Sequence, residues 1–135
     1  MTLQIINPET LGAPRGYAHG VLAPAGGRLL FVAGQCARDR TQRMAAADFV
    51  GQFAQALANV VTVVLAAGGK SDHLARLTIY VTDKHGYLSS LAAVGEAYRR
   101  VMGKHYPAMA LVEVKALVDP QALVEIEGTA VLPPT

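Results

Sequence analysis

Tryptophan is absent from this 135-residue chain, and cysteine occurs once. A lone Cys36 excludes an internal disulfide. Charged residues are also scarce, at 16%, and the net charge of +2 is spread without a Lys/Arg cluster. Binding to a phosphate backbone draws on concentrated basic surface, so a nucleic-acid partner is not expected. The four histidines, His19, His73, His85 and His105, lie far apart. None forms the close helical pair that a metal site favours, so no metal is expected. Phosphate loops, nucleophile elbows and dinucleotide fingerprints are missing too. Met1 to Asn7 shows no basic-then-apolar signal pattern. The most apolar stretch, Phe53 to Ala67, is interrupted by Gln55, Asn59 and Thr62. It reads as too short and too polar to span a bilayer. A soluble, cytoplasmic protein with no membrane contact is the expectation.

What remains is strongly apolar: 52% of the chain is hydrophobic. The length suits one domain, residues 1–135, able to bury roughly two thirds of its unfolded surface. So much apolar surface on a small domain points to an oligomer.

The pattern of elements is β-β-β-α-β-α-β-β. A short strand is expected at Leu3 to Ile6. Two apolar stretches, His19 to Pro24 and Leu29 to Ala33, flank Ala25-Gly26-Gly27-Arg28, where Gly-Gly suits a tight hairpin. The continuous run Leu29 to Ala33 reads as a strand covered on both faces. A helix from about Met44 to Ala67 carries Phe49, Phe53, Leu57, Val60, Val61, Val64 and Leu65 on one stripe. Gly68-Gly69 ends it. Leu74 to Thr82 alternates, with Leu77, Ile79 and Val81 opposed to Arg76, Thr78 and Tyr80. A second helix is expected from about Tyr87 to Met102, with Leu88, Leu91, Val94, Ala97, Tyr98 and Val101 inward. Strands at Met109 to Leu117 and Ala122 to Leu132 follow. Two helices cover one face of a mixed sheet, an α/β (α+β) arrangement. With no third helix, partner subunits are the simplest cover for the other face.

Several residues are candidates for chemistry. Glu125 and Glu127 share a strand face with Leu123, roughly 7 Å apart along the strand. Either could act as an acid or base on water, or lie on a solvated edge paired with Arg76 or Lys115. Met109, Leu111, Glu113 and Lys115 share a face of the preceding strand. Gly34-Gln35 either lets a ligand approach the backbone or simply ends a strand. Cys36 has no His or Asp partner in a motif, so an inert thiol is favoured over a nucleophile. Asp72-His73 reads as a cap, and Lys104-His105 as a solvated loop able to meet an anion.

Six elements in register resemble one family. Gly16-Tyr17-Ala18-His19-Gly20 is similar to G-P-Y-S-Q, and Val32-Ala33-Gly34-Gln35 to an S-G-Q element. Ala56-Leu57-Ala58-Asn59-Val60 resembles A-L-x-N-V/L, and Val81-Thr82-Asp83 resembles V-x-D. Tyr106 to Val114 resembles F-P-A-R-x-x-V-E/Q-V, and Val124 to Val131 resembles I/V-E-I-E-x-x-A-V. Together they resemble the RidA/YjgF family, also called endoribonuclease L-PSP-like.

The resemblance implies a chorismate-mutase-like fold, assembled as a homotrimer around a central barrel, with small-molecule pockets in clefts between subunits. It implies hydrolysis of enamines and imines to a carbonyl compound plus ammonia, without metal or organic cofactor. By resemblance, Tyr17 lines the pocket, Gly34 and Gln35 contribute to it beside Cys36, and Glu125 handles water. The family arginine that clamps the substrate carboxylate falls on Met109. A small polar or thiol residue two positions on falls on Leu111, an asparagine of the second helix on Gly95, and a glutamine near the tyrosine on His19. A charge-assisted bidentate contact contributes roughly 1.5–3 kcal/mol. Its loss weakens an acidic substrate about ten- to a hundredfold. His19, Arg15 and Lys104 are the candidate replacement cations. The departures favour a ligand that is neutral, less polar or larger. A non-catalytic, regulatory binding trimer is the alternative.

Overall fold

The computed structural model describes residues 2–135. Among these, six strands and three α-helices follow in the order β1 (Gln4–Ile6), β2 (Gly20–Leu22), β3 (Arg28–Gln35), α1 (Phe49–Ala66), β4 (Leu74–Val81), α2 (Lys84–Leu88), α3 (Leu91–Met102), β5 (Ala108–Glu113) and β6 (Val124–Leu132). The expected order holds, with one helix split in two. Asp83 starts α2 by accepting a hydrogen bond from the His85 amide at 2.9 Å. The chain breaks at Ser89, and Ser90 begins α3. The expected first helix also starts later than Met44, because the Asp48 carboxylate caps the Gly51 amide.

The expected hairpin is a turn without a ladder. Gly26 adopts φ +83°, yet β2 pairs with β1 and β3 with β6. The Gly pair therefore carries the chain from a two-stranded sheet into a separate four-stranded one, ordered β3-β6-β4-β5. The larger sheet is mixed. β4 and β5 run parallel, joined by the α2–α3 crossover that parallel strands require. The other two pairings are antiparallel. β5 ends at Glu113 and β6 begins at Val124, so Lys115 and Leu123 fall outside the strands whose faces they were expected to share.

One face of this sheet holds the core. Leu77, Ile79 and Val81 of β4 and Val124 and Ile126 of β6 meet Phe53, Leu57, Val60 and Val64 of α1. Val94, Ala97, Tyr98 and Met102 of α3 complete the cluster. The apolar stripes overreach at their ends: Leu65, Leu88 and Leu91 are exposed. By length and composition alone the 18 residues of α1 are apolar enough to cross a membrane, a property that core helices of soluble proteins share. Here its apolar side is spent on the core, where Ala56, Leu57, Val60 and Val64 have no exposed surface.

The opposite face is bare. Leu29 and Phe31 of β3 are 61% and 74% exposed, so the strand expected to be covered twice is covered once within the chain. Beside them lie Thr129, paired with Phe31 and Arg76, then Glu127 opposite Thr78 and Glu125 opposite Tyr80.

Gln52 is the one buried polar side chain of the core among the described residues, at 1% exposure. Its amide donates to the carbonyls of Ala46 and Gln121 at 3.1 and 3.0 Å, and its Oε1 accepts from the Leu123 amide at 2.8 Å. One side chain thus ties the loop before α1 to the entry of β6. Gln52→Leu strands three backbone groups together, and an unmet buried group costs about 1–3 kcal/mol. Urea unfolding of this variant should show a loss of about 2–4 kcal/mol; a loss below about 0.5 kcal/mol would mean that water reaches these groups.

Candidate functional site

The site begins with how Tyr17 is held. The Ala18 amide donates to the Pro107 carbonyl at 3.0 Å, and Ala18 bridges Ala108 in parallel. Gly16 makes the approach at φ +75°. This stitch sets Tyr17 at the head of β5. Met109 and Leu111 pair with Leu77 and Ile79 of β4, so they share the helix-facing side of the sheet. Between β5, α3 and the Tyr17 segment lies a cavity of about 480 Å³ lined by Tyr17, Met109, Leu111, Tyr87, Arg15 and Arg99, among others.

Aromatic groups shape its wall. Tyr98 and Tyr106 stack with ring centroids 5.1 Å apart and planes 8° from parallel. The Tyr98 hydroxyl donates to the His105 carbonyl at 2.6 Å, and burial raises its pKa. Tyr98 is therefore a neutral hydrogen-bond donor locked in place, while Tyr17, 38% exposed, is free to meet a ligand.

The expected site residues do not all converge. His19 is turned elsewhere: its Nε2 lies 3.1 Å from the Gly12 carbonyl and its ring packs edge-on to Tyr17. Lys104 lines a separate hollow with Asp72 and His105. Of the three candidate cations, Arg15 alone lines the cavity. Arg99 joins it, and the sequence reading missed this residue. Its signal was Gly95, one helical turn earlier, already marked as a departure from the family pattern.

Glu125 lies on the other face of the sheet. It pairs with Tyr80, whose face opposes that of Ile79 and Leu111. It packs against Gly34, where a Cβ would come within 2.5 Å of the Glu125 Oε2. An alanine at 34 would therefore have to turn the Glu125 carboxylate aside. Gln35 follows a bulge in the β3–β6 ladder, and its amide donates to the Ala33 carbonyl at 3.2 Å. Cys36 is half-buried and shares a shallow hollow with Gly34, Gln35, Arg38 and Asn59. Asn59 holds that rim, donating to the carbonyls of Cys36 and Arg38 at 3.0 and 2.9 Å. Arg38 in turn meets Asp119 at 2.6 Å. The Asp119 pKa is lowered, first by the Gln121 amide and then by Arg38.

Glu127 accepts a hydrogen bond from the Tyr80 hydroxyl, and that contact raises the Tyr80 pKa. Among the described residues neither Glu125 nor Glu127 forms an ion pair with Arg76 or Lys115; the ion pairs present are Arg38–Asp119 and Arg100–Glu96. The His73 ring accepts from the Lys70 amide at 2.9 Å, which is the capping role expected of Asp72-His73. The described residues contain no cluster of three metal-ligating side chains.

A bare mixed sheet backed by helices, with an apolar cavity at the β5 edge and a carboxylate on the bare face, defines a small α+β domain of a known kind. Residues 9–132 match the model of the family described as Endoribonuclease L-PSP. A Rid-family protein of unknown function from Yersinia pestis, YyfB, superposes with a TM-score of 0.87 at 34% identity, over 98% of this chain and 100% of that one. A RutC family protein from Pyrococcus horikoshii is 31% identical over 94% of this chain and 96% of its own length. TdcF of Escherichia coli, named for a proposed reactive-intermediate deaminase activity, is 30% identical over 91% of this chain and 94% of its own. Its structure, solved with bound serine, matches with a TM-score of 0.67 over 90% and 92% of the two chains. The chain belongs to the RidA/YjgF family.

The contact between Gly34 and Glu125 is testable directly. Gly34→Ala should leave stability within about 1 kcal/mol, since the carboxylate is on an open face. A crystal structure of the variant should show Glu125 turned away from β3; an unmoved Glu125 would refute the close packing.

Proposed function

We propose that the protein is a homotrimer that binds a small metabolite in clefts between subunits and hydrolyses an enamine or imine there. The observation that carries this reading is the division of the site. Tyr17, Met109 and Leu111 line one cavity on the helix side of the sheet, whereas Glu125 and Gly34 stand on its bare side. A neighbouring copy docked on the bare face is the simplest way to bring a carboxylate to each cavity. The exposed Leu29 and Phe31 give that face the apolar area an interface needs. TdcF, solved with serine, is a relative that holds a small amino acid.

In the proposed reaction the Glu125 carboxylate accepts a proton from water as its oxygen adds to the imine carbon. The proton passes to the nitrogen to give a carbinolamine; its hydroxyl proton then moves to the nitrogen as the C–N bond breaks, so ammonia leaves and a carbonyl compound remains. Tyr17 orients the substrate. Met109 and Leu111 replace a polar floor with an apolar one, so the preferred substrate carries a larger apolar group than 2-aminoacrylate. The same floor suits a non-catalytic binder, recognised by ligand-induced stabilisation without turnover.

Imines generated in situ by an amino-acid oxidase or a dehydratase provide the assay. The wild type is expected to hydrolyse the phenylalanine-derived imine and to leave 2-aminoacrylate largely untouched. Met109→Arg should gain at least tenfold on 2-aminoacrylate, and Glu125→Gln should lose at least a hundredfold on the phenylalanine-derived imine. Full wild-type activity on 2-aminoacrylate would sink the argument from Met109.

Assembly has its own test. Phe31→Lys places a charge in the proposed interface, and light scattering on the eluted protein should report monomers where the wild type gives trimers. A monomeric wild type would overturn the proposal.

A further inference from the structure

The cavity that contains Met109 is also lined by two arginines, Arg15 ahead of Tyr17 and Arg99 on α3. Among the described residues neither side chain has an ion-pair partner, whereas the next residue, Arg100, is paired with Glu96 at 2.8 Å. Arg99 is exposed, as is Arg15, so each is available to an anion arriving from solvent.

Glycine at position 95 lets Arg99 lie along the helix. A helical side chain lies back over the preceding turn, and residue 95 is the position four before Arg99. There the Arg99 Nη1 is 3.3 Å from the point that a Cβ on residue 95 would occupy, and Cζ is 4.0 Å from it. Any larger side chain at 95 would press on the guanidinium. The rest of the lining is mainly apolar or aromatic, with Met109, Leu111 and Leu91 among its members. Unpaired planar cations beside an apolar floor are suited to a ligand with an anionic end and an apolar body.

We infer that Arg99 on α3, together with Arg15, forms a carboxylate clamp, and that the ligand is an aromatic or branched-aliphatic 2-oxo or 2-imino acid. Its apolar group rests on Met109 and Leu111. The cation has moved from β5 to α3, and the apolar part of the ligand occupies the place left on the strand. This inference rests on the cleft reading proposed above and specifies the ligand of that cleft.

Calorimetric titration of the full-length protein with three probes tests it. Phenylpyruvate has both ends, pyruvate lacks the aromatic group, and phenylacetone replaces the carboxylate with a methyl. The wild type should bind phenylpyruvate at least tenfold more tightly than either of the others. Arg99→Gln should weaken phenylpyruvate roughly ten- to a hundredfold and leave phenylacetone within twofold. Gly95→Asn should reproduce that loss by displacing the guanidinium, and Arg99→Lys, which keeps the charge without the fork, should fall between. Arg100→Gln should change nothing. Equal binding of phenylpyruvate and phenylacetone, or an Arg99→Gln variant with unaltered affinity, overturns the clamp and leaves the cleft reading standing. Binding of none of the three at millimolar concentration overturns the cleft reading and the clamp with it.

Discussion

Alternation along β6 is the constraint on which the rest of this molecule depends. Val124, Ile126 and Ala130 turn toward α1 and α3 and are fully buried, while Glu125, Glu127 and Thr129 turn to the bare side. A slip of one residue would bury two carboxylates in the core and expose the apolar set. Gly128 secures the register from within. A Cβ there would lie 3.1 Å from both Leu74 and Leu77 side chains and 3.2 Å from the Arg76 carbonyl, so an alanine would have to push its neighbours back by a few tenths of an ångström. Because β6 is central, with β3 on one side and β4 on the other, its register also sets which side chains of both neighbours face solvent.

Polar anchors then fix the segment between β3 and α1, which has little apolar content to hold it. Gln52 joins it to the entry of β6, Asn59 grips the carbonyls of Cys36 and Arg38, and Arg38 reaches Asp119. The bonds to Gln121, Cys36, Arg38 and Asp119 span from 21 to 81 residues of sequence. They hold Gly34, Gln35 and Cys36 in place without relying on the core.

Local pattern and long-range pairing differ in how far they can be read from the chain. The faces of β4 and β6 are legible because period-two alternation needs no partner to be recognised. The break at Ser89 is hidden, since the apolar spacing of Leu88 and Leu91 runs straight through it. The partner of β2 is hidden too: a Gly-Gly turn constrains the chain locally, whereas pairing with β1 is a choice made across the sheet. Met109 and Glu125 each have a definite parity within their own strands, yet only the register of β4 with both shows that they face opposite ways. Arg99 escapes notice because a basic residue in the last turn of a helix complements the helix dipole and reads as solvated surface. The motifs of the RidA/YjgF family are legible at once, being short, ordered and spread along the chain.

The opposite facing of Met109 and Glu125 has an evolutionary consequence. Residues 109 and 111 rest on one side of the sheet and residue 125 on the other, so within a single chain a change in one group does not disturb the packing of the other. Mutations that reshape the apolar floor are thereby uncoupled from the carboxylate that stands against Gly34. Such a lineage can vary the cavity at β5 and α3 while the carboxylate at position 125 stays under separate selection, which makes the fold a permissive starting point for divergence.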